Sequence, residues 1–232
     1  MASSETPRVG VFGMNMKKYI DAHCHLFDFD LPDNLGAVVN ATRVTDWENV
    51  VNKANNNPNI WGAIGVHPWF VSELDVEWDA KLCDLLRKNP EIAVGEIGLD
   101  KYKSDMNIQI GVFLRQLEIA VNLGRGVHVH CVGAWDKMFS VLKNLKSGVP
   151  PFVLFHRFSG NSGDVARVMS YCNAYFSFCD VRDVVSFVPR ERVLIETDSD
   201  NPCGVIGVAD RFSQICTDCD FYENTMEMLK NG

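Results

Sequence analysis

The sequence is notable first for what it has little of. No apolar run reaches the ~18 residues of a membrane-crossing helix. Positive charge is scarce: 22 Lys and Arg stand against 30 Asp and Glu, a formal net charge of −8. That excludes coating of duplex nucleic acid by charge alone, which needs Lys and Arg to neutralise phosphates. It leaves room for a small phosphodiester pocket in which bound divalent cations supply the positive charge. A Gly-x-Gly-x-x-Gly turn is missing, which speaks against a dinucleotide-binding sheet. Residues 1–17 show no secretory signal pattern and are expected to be a flexible extension ahead of one domain spanning 18–232. Internal repeats and low-complexity segments are absent. The eight cysteines have scattered spacings and are read as thiols of a cytoplasmic protein. Cys216-x-x-Cys219 is the one suggestive pair, and a structural zinc would need two further ligands. Histidine, too, is sparse. The six present are His23, His25, His67, His128, His130 and His156, all at or just past apolar runs.

The patterning, at 47% apolar and 22% charged, is that of an ordinary globular protein, and it alternates between strand and helix. Short apolar runs predict strands at Tyr19–His25, Leu35–Thr42, Ile60–Val66, Ile92–Val94, Gly126–Cys131, Phe152–Phe155, Ala174–Phe178 and Val193–Ile195. Helical spacing fills the intervals. The clearest helix is capped by Ser104 or Asp105, carries Ile110, Phe113, Leu114, Leu117, Ala120 and Val121, and is closed by Gly124. After Asp198 a loop leads to one last helix from about Tyr222 to Lys230. Eight apolar strands alternating with helices predict a TIM-type (β/α) barrel in the α/β class, with a doubly wound sheet as the alternative. The polar residues favour the barrel. His25, His67, Glu96, His130, His156 and Asp198 follow the C-terminal ends of different predicted strands, where barrel enzymes assemble their sites. His23 and His25 lie two apart, so on a strand both rings face one side and can close on one metal ion.

These residues occur in ordered motifs: Asp21-Ala22-His23-Cys24-His25, Gly65-Val66-His67-Pro68, Gly95-Glu96-Ile97-Gly98-Leu99-Asp100, Val129-His130, His156-Arg157-Phe158-Ser159-Gly160 and Glu196-Thr197-Asp198. Gln109, Phe113, Gln116, Leu117 and Ala120 lie on the helix between the third and fourth. In this order they resemble the TatD-like metal-dependent deoxyribonucleases, within the amidohydrolase-type metallohydrolase barrels, over roughly Ile20 to Pro202. The resemblance implies two divalent ions, with His23, His25 and Asp198 on the first, His130 and His156 on the second, and Glu96 bridging. It implies a phosphodiesterase acting on DNA single strands or 3′ ends, or on small nucleotide derivatives. Asp198 is the candidate general base and Glu196 a supporting member of the catalytic set. His67 and Arg157 are candidate phosphate contacts; their alternatives are a turn histidine held by Pro68 and a surface salt bridge. The ions could be Zn²⁺, Mg²⁺ or Mn²⁺.

Other residues weigh toward packing. His128 faces as His130 does, one layer deeper, and reads as a core histidine. Asp100 reads as a cap. Trp69, Phe70, Trp135 and Phe158 suit either base stacking or packing. The chain departs from the family pattern in two places. Val132 stands where an Arg is usual, leaving Arg157 or Arg125 to replace it. The stretch after Asp198 is short, so the pocket is expected to be open on that side or completed by a protein partner. Two other functions fit the same frame: hydrolysis of a non-nucleic-acid amide or ester, and service as a metal-loaded subunit of a multi-protein complex, for example in phage defence.

Overall fold

A computed structural model describes residues 18–103, 105–145 and 148–231; the expected N-terminal extension lies outside the described residues. Eight parallel strands run in sequence order: β1 (Tyr19–Cys24), β2 (Leu35–Asn40), β3 (Ile60–Ile64), β4 (Ala93–Asp100), β5 (Val127–Val132), β6 (Val153–Phe155), β7 (Ala174–Phe178) and β8 (Val193–Ile195). Helices α1 (Trp47–Asn55), α2 (Trp78–Lys88), α3 (Met106–Leu123), α4 (Trp135–Lys143), α5 (Ser162–Met169), α6 (Val205–Phe212) and α7 (Phe221–Lys230) follow β2, β3, β4, β5, β6 and, as a pair, β8. The strands are buried because helices cover them outside and side chains fill the barrel inside.

The sheet nearly closes into a barrel. β1 and β8 meet beyond their strand ends, where Asp198 N–H donates to His23 O at 3.0 Å and His25 N–H to Ser199 O at 2.8 Å. Asp21 lies under this seam, fully buried. Its Oδ1 accepts the backbone N–H groups of His23 (3.2 Å) and Thr197 (3.0 Å), and its Oδ2 accepts the Thr197 hydroxyl at 2.5 Å. The closure sets His25 beside Asp198.

Helix α3 matches its expected bounds. Asp105 caps it by accepting Asn107 N–H at 2.7 Å, and Gly124 ends it in the left-handed conformation, φ 65°. β4 is longer than expected and runs through the Gly95–Asp100 motif, with its pairing to β5 shifted between Val94 and Ile97.

One expectation is corrected. The segment after Asp198 is not a bare loop, because Val205, Val208, Ala209 and Phe212 bury one face of α6. Their i, i+3, i+4, i+7 spacing is helical, but Gly204 and Gly207 obscure it in the sequence. α6 and α7 both pack on β1 and β8, and no residue of either helix lines the cavity at the barrel mouth. Cys216 and Cys219 lie side by side between α6 and α7, with their sulfurs in contact.

Candidate metal centre

The sequence-selected residues converge at the C-terminal mouth of the barrel, on a cavity of about 780 Å³. They come from β1, β3, β4, β5, β6 and β8 or the turns that follow them, and α3 fixes two of those strand ends from behind. Gln116 is fully buried. Its Oε1 accepts Val66 N–H at 2.7 Å and its Nε2 donates to Val66 O at 3.2 Å, gripping the residue before His67. One heptad earlier, Gln109 grips Asp100 in the same way, at 2.8 and 3.0 Å. Gly98 has φ 144°, and a Cβ there would lie 2.0 Å from His130 O. Glycine is therefore required for β5 to bring His130 this close.

Glu96 is the hub. Its Oε2 lies 3.4 Å from His23 Nε2 and 4.0 Å from His25 Nε2. Its Oε1 lies 2.8 Å from His156 Nε2, 2.9 Å from His130 Nδ1 and 3.1 Å from His67 Nε2. Across the seam, His25 Nε2 is 3.2 Å from Asp198 Oδ1. His23, His25 and Asp198 form one set able to hold a cation; His23, Glu96 and His156 form another, and His67, Glu96 and His130 a third.

The donor set fits a divalent metal. Both ring nitrogens of His23 and of His156, and Nε2 of His130, are buried without a hydrogen-bond partner. The Nε2 atoms of His23, His156 and His130 sit 3.4, 2.8 and 3.4 Å from carboxylate oxygens, and buried polar groups without a hydrogen-bond partner are costly. The charges agree. Burial, reinforced by His156, pulls His23 down to about 4, so its ring is neutral and ready to ligate. Burial raises the Glu96 pKa, but His156, His67 and His130 outweigh it and hold the carboxylate ionised. Asp198 is ionised in the same manner, against burial, chiefly through its hydrogen bond with His25. Burial works against protonation of His25, yet Asp198 and Glu96 lift it to about 9, so a bound cation would take the place of that proton.

The remaining selected residues occupy different places. His67 Nδ1 accepts Trp69 N–H at 3.2 Å, so the neutral ring carries its proton on Nε2 and points a donor at the centre. Arg157 reaches the cavity, but its Nη1 donates to Asp198 Oδ2 at 2.9 Å. Its backbone takes φ 44°, with its N–H donating to Glu196 Oε1 at 2.6 Å. The other Glu196 oxygen accepts the Ser177 hydroxyl. Glu196 is fully buried beneath the His156–Arg157 turn and is not part of the cavity wall, which is the place of a positioning residue. His128 is fully buried one layer below, beside Phe152. Arg125 lies outside the site and donates to Leu86 O at 3.3 Å, so it does not replace the missing cation near Val132. Arg182, from the β7–β8 loop, lines the cavity instead; no motif marked it. Asp21, Ser177 and Gln116 also support the site through contacts that only the fold creates.

A parallel eight-stranded barrel with imidazoles and carboxylates gathered at its C-terminal mouth is the layout of metallohydrolase barrels. The chain belongs to the TatD related DNase family, whose model matches residues 20–203. It is 30% identical over 176 residues to the 3′-5′ ssDNA/RNA exonuclease TatD of Edwardsiella piscicida, covering 71% of this chain and 67% of that protein. It is 26% identical over 238 residues to the human 3′-5′ RNA nuclease TATDN2, covering 85% of this chain and 30% of that longer protein. The fold is similar to that of YJJV, a TatD homologue from Escherichia coli K12, with TM-score 0.76 and 23% identity over 92% of this chain and 95% of that one. No helix among the described residues is long and apolar enough to cross a membrane.

Proposed function

We propose that the protein is a metal-dependent phosphodiesterase acting on DNA single strands, their 3′ ends or small nucleotide derivatives. The observation that carries this reading is the Glu96 hub, with a carboxylate oxygen facing each of two groups of histidines. His23, His25 and Asp198 would hold one divalent ion and His130 and His156 a second, with Glu96 shared between them. Bound there, Zn²⁺, Mg²⁺ or Mn²⁺ would polarise the phosphoryl oxygen and lower the pKa of a water. The protein's own groups do the rest. Asp198, ionised at the cavity wall, is placed to accept the proton of the attacking water. His67 presents its Nε2–H to a phosphate oxygen, and Arg157 offers a second donor once a phosphate competes for it with Asp198. Glu196 holds the Arg157 backbone, and through it the His156 turn.

The activities named for two relatives, a 3′-5′ ssDNA/RNA exonuclease for TatD of Edwardsiella piscicida and a 3′-5′ RNA nuclease for human TATDN2, support this reading. The test is hydrolysis of bis-p-nitrophenyl phosphate and a labelled single-stranded DNA by wild type and Asp198→Asn, with Mg²⁺, Mn²⁺ or Zn²⁺ added. Turnover in wild type and its loss in the variant is the expected result. No turnover with any metal, in protein shown to contain metal, would overturn the reading.

A further inference from the structure

One wall of the cavity carries a fixed aromatic plate. Trp69 is 46% exposed, yet it is held at ring and backbone. Its indole N–H donates to Asp100 Oδ2 at 2.6 Å, and its backbone N–H to His67 Nδ1. Asp100 is itself buried and immobilised: Gln109 grips its backbone, and its Oδ1 accepts Tyr102 N–H at 2.8 Å. The oxygen that binds Trp69 lies 3.4 Å from His130 Nε2. The indole therefore stands one carboxylate away from the His130 ring, whose other nitrogen, Nδ1, faces Glu96. Lys103 Nζ sits over its ring, 4.2 Å from the centroid, and the Arg43 guanidinium lies 3.8 Å over the adjacent Phe70 ring. The other strand-end aromatics differ: Trp135 and Phe158 pack against each other at 5.0 Å, and Phe158 is buried.

A rigid, half-exposed ring with an ammonium at its face combines the two elements that hold unpaired nucleic acid, a surface for a base and a cation for the backbone. A base inside a duplex has both faces covered by its neighbours and cannot lie on such a ring. We propose that Trp69 is the stacking plate for the nucleotide whose phosphate lies at the Glu96 centre, and that Lys103 leaves the ring for the phosphate backbone when a base arrives. The protein then selects unpaired, base-bearing strands. The proposal rests on the phosphodiesterase reading for the position of the phosphate.

The test compares binding of fluorescein-labelled oligothymidylate with that of an abasic oligonucleotide of equal length and charge, by fluorescence anisotropy. Wild type is expected to bind the base-bearing strand about ten-fold tighter or more. Trp69→Ala should remove most of that preference. Trp69→Phe should keep most of it, which separates stacking from the indole tether to Asp100. Lys103→Ala should weaken both strands alike. Trp69→Leu, bulky but without a π face, serves the same comparison if the alanine variant fails to fold. A wild type that binds the two strands equally, or a preference that survives Trp69→Ala and Trp69→Leu, overturns the proposal. Turnover of the same strands is followed in parallel. Base-selective binding lost in Trp69→Ala, with no cleavage under any metal, would support the plate and refute the phosphodiesterase reading. Cleavage with a preference indifferent to Trp69 would do the reverse.

Discussion

The grip of α3 on the two neighbouring strand ends yields a sharp quantitative expectation. Gln116→Met keeps the length and volume of the side chain and removes both hydrogen bonds to Val66. The site is fully buried, so a donor and an acceptor lose their partners without access to water. Each loss costs about 1–3 kcal/mol, for a total near 2–6 kcal/mol. At about 2–4 °C per kcal/mol for a chain of this size, Tm should fall by roughly 4–24 °C, read by calorimetry on metal-stripped protein. Gln109→Met removes the matching pair on Asp100. The two positions lie about 10 Å apart along the helix, so their effects should add to within about 0.5 kcal/mol. Beyond stability, loosening Val66 frees His67, and KM for a phosphodiester should rise more in Gln116→Met than kcat falls. A Tm within 2 °C of wild type with unchanged KM would show that α3 does not hold this strand end.

Glu96→Ala should remove most bound metal by elemental analysis and abolish turnover; retention of two ions would refute the bridging role. Gly98→Ala places a Cβ 2.0 Å from His130 O, so β5 must shift, and metal affinity should fall by ten-fold or more in a calorimetric titration. Arg157→Ala should raise KM or lower kcat on phosphodiesters with metal content unchanged; unaffected turnover would reduce Arg157 to its ion pair with Asp198. Asp21 sets a pH dependence. Burial pushes its carboxyl up to about 7, above the ~3.9 of an unfolded chain. The folded state therefore holds the proton more tightly. The resulting stability is fully present below about pH 4 and is lost as pH rises through 7. In chelator, Asp21→Asn should gain on wild type between pH 5 and 8, by up to about 2.6 kcal/mol in denaturant unfolding. A difference constant across that range would contradict the assignment.

Much of this architecture was legible because each β/α unit is a local pattern. The apolar runs at Ala174–Phe178 and Val193–Ile195 coincide with β7 and β8, and the Asp105 and Gly124 signals bound α3. The centre was legible for a related reason: its histidines and carboxylates sit in short motifs that each end a strand, and strand ends of a parallel barrel share one mouth. Less visible were contacts between residues distant in sequence. Nothing near Ser177 signals that its hydroxyl meets Glu196, and nothing near Arg182 signals that the β7–β8 loop turns toward the cavity. The helix α6 was obscured because Gly204 before it and Gly207 within it interrupt an apolar spacing that burial against β1 and β8 reveals.

This division explains a feature of the motifs themselves. Residues that could touch a metal make up only part of them. Gly98 lets β5 approach, Asp100 ties the indole to His130's side of the centre, and Asp21 closes the seam beneath His23 and Thr197. The α3 glutamines belong to the same category, a helix face whose polar side chains look misplaced among Phe113, Leu117 and Ala120 until their backbone partners are seen. A buried glutamine at such spacing is costly unless both ends of its amide are satisfied. One that satisfies both against a strand end fixes that end in position and angle. Donors drawn from six strand ends can converge on Glu96 only if the ends are fixed independently of any ion. The motif positions that carry no ligand supply that fixation, and the same constraint holds Trp69 rigid at the edge of the cavity.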